Sequence, residues 1–225
     1  MRFFYLFLKR LFDIGCSLLG LIVSSPFWLL AVIGIKLSDP GPIFYISDRL
    51  GKENKVFRMV KFRSMRTGEP NEAMLRGEEI RIFPFGQFMR DTKIDELPQL
   101  LNILKGDMSI VGPRPAAVAQ RAITRSGRFE AAGKVQAGLT GPSALYDYIY
   151  GDSVKTVAEY ERLVLPTRLE LDLVYLEKMS LGFDLRMIWW TVVCIACSVA
   201  GRRPEKIYAR LMQWAAEERR EAAHG

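Results

Sequence analysis

The sequence predicts a mostly α chain with a small β-hairpin, led by an N-terminal membrane helix that enters the bilayer and leaves by the same face. Three observations carry that expectation. From Ile14 to Ile35 no charged residue occurs, close to the roughly 20 apolar residues a membrane helix needs. Ser24, Ser25 and Pro26 break the run near its middle. Two strand-like segments, PIFYISDR and KVFRMVKFR, then flank a polar turn from Gly51 to Asn54, the pattern of a hairpin.

The N-terminal segment differs from a simple span. Pro26 removes an i→i−4 hydrogen bond and crowds the preceding turn. Hydroxyls of Ser24 or Ser25 can meet the backbone groups it frees. Lys9 and Arg10 precede the segment, and Lys36, Arg49, Lys52, Lys55, Arg58, Lys61 and Arg63 follow it. Lysine- and arginine-rich flanks stay on the cytoplasmic side, and here both flanks qualify. A helix re-entrant at Ser25-Pro26 satisfies both; a Pro-kinked ordinary span satisfies one. A cleaved signal is disfavoured, because the apolar run continues past the bend with no small-x-small site. Asp13 inside this helix is costly unless paired, and Lys9 or Arg10 one turn earlier can reach it.

With 225 residues, 49% of them hydrophobic, the chain is long enough for one sizeable core. A formal charge of +7 asks for an anionic partner. No aromatic-interleaved basic stripe or zinc-finger spacing supports nucleic acid, so phosphorylated substrates and membrane lipids remain. Cys16, Cys194 and Cys197 form no disulfide framework. The Cys194–Cys197 spacing lies in an apolar run without further ligands, so these read as packing or lipid-facing thiols. The compartment is reducing, and the soluble part faces the cytosol.

After the hairpin, residues 66–80 are polar and irregular and read as a mobile loop. Helices are expected near 96–105, 116–127, 154–164 and 167–180, with Pro166 dividing the last two. Met187 to Ala200 is an apolar run flanked by Arg186 and Arg202-Arg203. It is short for a span and suits an amphipathic interfacial helix with Trp189 and Trp190 at headgroup level. The tail places Ile207, Leu211 and Ala215 at four-residue spacing, on lipid or on a partner. The domain organisation is thus a membrane helix over 1–38, a central region with interfacial helices over 39–200, and an amphipathic tail over 201–225.

The candidate chemistry lies in KIDELPQLLNILKGDMSIVGPRP, Lys93 to Pro115. Leu97, Leu100, Leu101 and Leu104 fall on one helical face. Asp95 is a favoured N-cap, Glu96 complements the helix dipole, and Gly106 stands where a C-terminal glycine belongs. Capping alone explains the acid pair locally.

The wider order of motifs changes that. KRLFDIGCSLLGLIVSSP, GPIFYISDRLGK, VKFRSM, DELPQLLNILKGDMSIVGPRP and AGLTGP occur in sequence. Together they resemble the bacterial sugar transferases, the monotopic polyprenyl-phosphate phosphoglycosyl transferases. The resemblance implies an enzyme of the bacterial inner membrane with a cytosol-facing catalytic region. Such enzymes move a sugar 1-phosphate from a UDP-sugar to undecaprenyl phosphate and release UMP. It implies Asp95 as nucleophile, Glu96 as catalytic partner and Mg²⁺ ligand, and Ser25-Pro26 as the re-entrant bend. Lys61, Arg63, Arg90 and the Pro113-Arg114-Pro115 turn are implied to surround the phosphates. A homodimer is compatible with it.

The general chemistry agrees. Phosphoryl transfer between anions needs charge neutralisation, which Mg²⁺ and Arg supply. A carboxylate can attack phosphorus and divide one step into two. At a helix N-terminus Asp95 is expected to stay ionised. The stretch Thr140 to Ser153 departs from the family pattern, so nucleotide and sugar contacts cannot be carried onto it. RIFPFG at Arg81–Gly86 departs too. Two other readings compete: a non-enzymatic membrane-anchored adaptor with a basic lipid-binding surface, and a multi-pass transferase. The second is disfavoured because only one segment is long enough to span.

Overall fold

The computed structural model describes residues 2–66, 82–150, 154 and 156–224. The expected irregular loop over 66–80 lies, apart from Arg66, outside the described residues.

The chain is mostly helical, as expected. Helix α1 (Arg2–Ser38) carries Pro26 inside it. The proline leaves the carbonyl of Ile22 without its i+4 donor. Ser25 Oγ donates to that same Ile22 oxygen at 2.8 Å, which explains the Ser-Pro pair. The helix turns its polar residues inward: Asp13, Ser17 and Ser24 are buried, while Leu18, Leu19, Ile22, Val23 and Leu29 are exposed. That polarity is the reverse of a soluble surface helix and suits an apolar solvent.

Both ends of α1 are fastened to the rest of the molecule. Near its start, Lys9 Nζ donates to Asp184 Oδ2 at 2.8 Å. Arg10 donates to the carbonyls of Ile103 and Leu104 at 2.6 and 2.8 Å. Asp13 does not pair with Lys9 or Arg10, because both are committed elsewhere. It accepts from Ser109 Oγ at 3.0 Å and from the Ile110 amide at 2.9 Å instead. Near its end, Ala31 and Ile35 pack with Phe62, Phe83, Met89 and Ile94 in a small core.

The hairpin is present. Strands β1 (Phe44–Leu50) and β2 (Val56–Phe62) pair antiparallel, Phe44 opposite Phe62 and Leu50 opposite Val56. Helix α2 (Pro84–Asp91) opens with Pro84 in its first turn. A 3-10 turn (Ile94–Glu96) leads to α3 (Gln99–Lys105), which ends at Gly106 with φ 96°. The leucine face is buried only in part: Leu100 is in the core and Leu97 packs against it, but Leu101 is exposed and Asn102 and Ile103 are buried. Asn102 spends its amide on β2, accepting from Val60 N at 3.1 Å and donating to Arg58 O at 2.8 Å.

Strand β3 (Met108–Val111) is followed by β4 (Ala116–Ala117), which joins the free edge of β1. The helix expected over 116–127 is therefore reduced to a 3-10 turn (Val118–Gln120) and one helical turn (Arg121–Thr124), with a second 3-10 stretch at Gly127–Lys134. Strand β5 (Ala137–Thr140) pairs parallel to β3. This approach requires glycine: a Cβ on Gly138 would stand 2.1 Å from the Gly112 amide nitrogen.

Helix α4 (Pro142–Tyr150) follows. A π-turn (Tyr160–Val164) feeds α5 (Leu165–Lys178), with Pro166 in the first turn of that helix. Helix α6 (Leu181–Val199) extends the apolar run of 187–200 to 19 residues. By length and composition α1 and α6 could both cross a membrane, which corrects the expectation that one segment alone is long enough. Helix α7 (Glu205–His224) buries Ile207, Leu211, Trp214 and Ala215. The main core joins those residues to Ile103, Met108, Val111, Leu145, Leu171, Tyr175 and Met187. The inner face of the tail thus rests on this chain itself.

Candidate active site

The acid pair forms by a local device. α2 ends at Asp91 with Thr92 as its C-cap, Lys93 takes the left-handed conformation at φ 58°, and the chain turns into the Ile94–Glu96 segment. Ile94 is buried in the small core, which anchors the turn. Asp95 and Glu96 are both buried. Neither Lys93 nor Pro98, the residues preceding the two helical segments, receives a side-chain cap. Asp95 does not occupy the N-cap position.

The pair lines a cleft of about 480 Å³. Arg49, Lys61, Arg90, Lys93 and Arg114 contribute five cations to it, with Asp147, Tyr148, Tyr160 and Glu161 completing much of the wall. Glu96 Oε1 is 2.8 Å from Lys61 Nζ and 3.8 Å from Lys93 Nζ. Burial raises the Glu96 carboxyl, but Lys61, Lys93 and Arg114 outweigh it and hold it well below the usual range. Asp95 behaves oppositely. Burial, joined by the Glu96 charge, pushes its carboxyl above the ordinary value despite Lys61, Lys93 and Arg90. A helix dipole does not set the titration of Asp95, since the residue sits on a buried turn ahead of α3. Among the described residues its buried Oδ1 has no hydrogen-bond partner.

Arg114 is fixed at every polar atom of its backbone. Its amide donates to Asp172 Oδ1 at 3.0 Å and Ser143 Oγ at 3.2 Å. Its carbonyl accepts from Arg168 Nη2 at 3.4 Å. The carbonyl of Pro113 accepts from Gly138 N at 2.7 Å, tying the turn to AGLTGP. Pro115 lines an adjoining recess of about 350 Å³ that shares Lys61, Arg90, Glu96 and Arg114.

Lys61, Arg90, Asp95, Glu96 and Arg114 therefore converge. Arg63 does not join them. It is 2% exposed, donates from Nε to Pro42 O at 2.6 Å and from Nη1 to Asp39, and locks the exit of α1 onto the hairpin. Ser25 and Pro26 belong to α1, away from this cleft.

Comparison with known proteins follows the same lines. A family profile described as "Bacterial sugar transferase" matches residues 4–198. The chain belongs to the bacterial sugar transferase family. It is 35% identical over 189 residues to a "UDP-glucose:undecaprenyl-phosphate glucose-1-phosphate transferase" of Escherichia coli K12, covering 82% of this chain and 39% of that protein. It is 37% identical over 199 residues to the "Exopolysaccharide production protein PSS" of Rhizobium leguminosarum bv. phaseoli, covering 84% of this chain and 94% of that protein. A third relative, at 32% identity over 206 residues, is a "UDP-N-acetylgalactosamine-undecaprenyl-phosphate N-acetylgalactosaminephosphotransferase" of Aeromonas hydrophila, with 88% and 46% covered. The chain thus spans less than half of two of these relatives.

The cleft holds residues that motif reading passed over. Asp147 and Tyr148 come from the departing stretch 140–153, and Arg49, Lys93 and Tyr160 also face the cleft. A signal existed for some of them. Asp147, with Ser143 one turn earlier, stands in the otherwise apolar and aromatic helix α4. Buried charges in such places are rare unless partnered.

Proposed function

We propose that this chain transfers a sugar 1-phosphate from a UDP-sugar to undecaprenyl phosphate, through a covalent intermediate on Asp95. The observation that carries this reading is the buried Oδ1 of Asp95, unpartnered among the described residues, in a cation-lined cleft. A buried carboxylate oxygen left without a donor costs stability, so its retention has a use. The adaptor reading needs Asp95 as a cap, and no cap bond is made.

In the first step a carboxylate oxygen of Asp95 attacks the sugar-bearing phosphorus of the UDP-sugar. The bond from that phosphorus to the bridging oxygen breaks, and UMP leaves with the electron pair. In the second step a phosphate oxygen of the lipid attacks the same phosphorus, and the aspartyl oxygen leaves as the regenerated carboxylate. Lys61, Arg90 and Arg114 hold the phosphates and offset their charge, which is most effective away from bulk water. Glu96, tied to Lys61, keeps that lysine beside Asp95.

Asp95 and Glu96 also fit a magnesium ion. The orphaned Oδ1 stands in a neighbouring pair of carboxylates, and among the described residues no further acid, His or Cys forms a ligand group with them. One or two carboxylates plus phosphate oxygens are the usual Mg²⁺ set. Bound there, the ion supplies charge neutralisation for the phosphates.

Re-entrance of α1 is part of the proposal. Its two ends are held by the same body, through Lys9, Arg10 and Asp13 at one end and Ala31 and Ile35 at the other. A helix crossing the bilayer would carry one end away from it. The reading places the protein on the cytosolic face of the inner membrane.

The test is a half-reaction. Purified protein with Mg²⁺ and each UDP-sugar in turn, without lipid, is expected to release UMP up to one equivalent with the correct sugar. Mass spectrometry is then expected to find the sugar phosphate on the peptide holding Asp95. UMP release that absolutely requires lipid, with no adduct, would overturn the covalent route.

A further inference from the structure

A second cavity adjoins the polar cleft at the acidic turn. It has a volume of about 260 Å³ and shares Lys93, Glu96, Arg114 and Tyr148 with the polar cleft. Beyond those four its character changes, for Leu100, Leu145, Ile188, Val192 and Ile195 form much of the wall. The hydroxyls within it are already committed. Thr140 and Thr191 Oγ1 lie 2.5 Å apart, and Thr191 donates to Met187 O at 2.8 Å. A uracil or a sugar would lose hydrogen bonds to water here without replacement. An amphiphile would not.

Resting on the transferase reading, we propose that this cavity seats the first isoprenoid units of the lipid acceptor, its phosphate lying at the seam between Lys93 and Arg114. Charge complementarity sets the direction: Lys93 and Arg114, beside one acid, Glu96, close the end shared with the polar cleft, and mostly aliphatic side chains line the rest. The outer wall belongs to α6, a helix apolar enough to enter a membrane, and Val192 there is 52% exposed. A lipid chain can leave the cavity past Val192 without crossing polar surface. The volume is slightly below the roughly 300 Å³ at which small-molecule pockets begin, so only the head end is enclosed. The acceptor phosphate then lies where the two cavities meet, with Tyr148 as part of the shared wall, and attacks phosphorus opposite the aspartyl oxygen, along the line on which UMP left. Ile188 and Val192 become determinants of which lipid phosphate is accepted.

The experiment uses the full-length chain in detergent or nanodiscs. Val192→Trp and Ile188→Trp each fill the cavity from a position that is not fully buried. Each is expected to raise the KM for undecaprenyl phosphate by about tenfold, leaving the KM for UDP-sugar within about twofold. An undecaprenyl phosphate carrying a diazirine on its first isoprene unit is expected to label α6 between Ile188 and Ile195. Equal changes in both KM values, an unchanged acceptor KM in both variants, or labelling confined to α1 overturns the placement. A wild-type chain that turns over no UDP-sugar overturns the transferase reading itself, and diazirine labelling reports on the cavity in either case.

Discussion

Arg114 Nε lies 2.6 Å from Asp147 Oδ2, and the same carboxylate accepts from the Tyr160 hydroxyl at 2.7 Å. Tyr160 in turn accepts from Arg168 at 3.0 Å. The guanidinium of the Pro-Arg-Pro turn is thus aimed into the cleft by a side chain from α4, inside the stretch where family motifs fail. Burial raises the Asp147 carboxyl, but Arg114 and Arg168 outweigh it and hold it below the usual range.

Asp147→Asn is expected to lower kcat/KM by about tenfold, because Arg114 keeps a neighbour but loses its charged anchor. Asp147→Ala is expected to lose more and to cost up to about 3 kcal/mol of stability, since a mostly buried arginine is left unpaired. The folded carboxyl lies below its unfolded value, so the stability from this pair is present above about pH 4 and is lost as pH falls through the lower folded value. Steady-state kinetics and urea titrations at pH 7 and pH 3.5 check both parts. A wild-type kcat/KM in Asp147→Asn removes the anchoring role.

The opposite sign is expected where α5 meets α7. Burial, then the charge of Glu177 and a hydrogen bond to it, push the Glu218 carboxyl up to about 7, against Arg128. Arg128 Nη1 is 3.0 Å from Glu218 and also pairs with Glu170, while Glu221 lies close by. A carboxyl raised above its unfolded value stabilises the fold most below about pH 4.3, and that contribution is lost as pH rises through 7. The Tm is therefore expected to fall between pH 5 and pH 8 through this group. Glu218→Gln is expected to raise Tm at pH 8 and to leave it nearly unchanged at pH 5. A uniform shift at both values would mean that the carboxyl pair is not the cause.

Pro26→Ala restores an amide donor to Ile22, whose carbonyl now takes the Ser25 hydroxyl. A continuous ladder favours a straight span over a bend. In a background lacking Cys16, Cys194 and Cys197, single cysteines at positions 2 and 55 are expected to resist impermeant labelling from outside intact cells. Pro26→Ala is expected to lose activity and to make position 2 labelled from outside in part of the population. External labelling of either site in the unsubstituted helix would refute re-entrance.

What the sequence revealed was mostly local. The hairpin was legible from alternation, and the Ser25-Pro26 device from one deleted amide. The convergence of Lys61, Arg90, Asp95, Glu96 and Arg114 came from the order of motifs rather than from any one spacing. Arg63 was grouped with Lys61 by the motif that holds both, but a motif does not say where each side chain ends: Asp39 and the carbonyl of Pro42 capture Arg63. Lys9 and Asp13 were expected to meet because helical spacing allows it, yet partners 175 and 97 residues away took them. The 116–127 helix failed for a similar reason, since β4 found a free strand edge at Arg49 and Leu50. Long-range pairing decides such cases, and periodicity carries no information on it.

Glu96→Gln is expected to cost at least about tenfold in turnover with the chain still folded. The amide keeps the shape but releases Lys61 and Lys93, and it binds a divalent cation more weakly than a carboxylate does. A Mg²⁺ titration distinguishes the two losses. A shifted midpoint places Glu96 on the ion; a lowered plateau with the same midpoint confines it to holding Lys61.

Asp95→Asn separates folding from chemistry. A capping aspartate contributes to stability when ionised, but this one makes no cap bond and its burial raises the carboxyl above the ordinary range. Its ionised form therefore costs the fold something at neutral pH, as a raised acid does. Replacing it with the neutral amide is expected to leave Tm unchanged or slightly higher. Activity is expected to fall by several orders of magnitude, about 10³-fold or more, because an amide oxygen is a poor nucleophile toward phosphorus. The burst of UMP without lipid is expected to vanish with it, and no sugar phosphate is expected on the peptide. An Asp95→Asn protein that keeps wild-type turnover would end the covalent mechanism. One that keeps the burst and loses only transfer to lipid would move the nucleophile to another residue of the cleft.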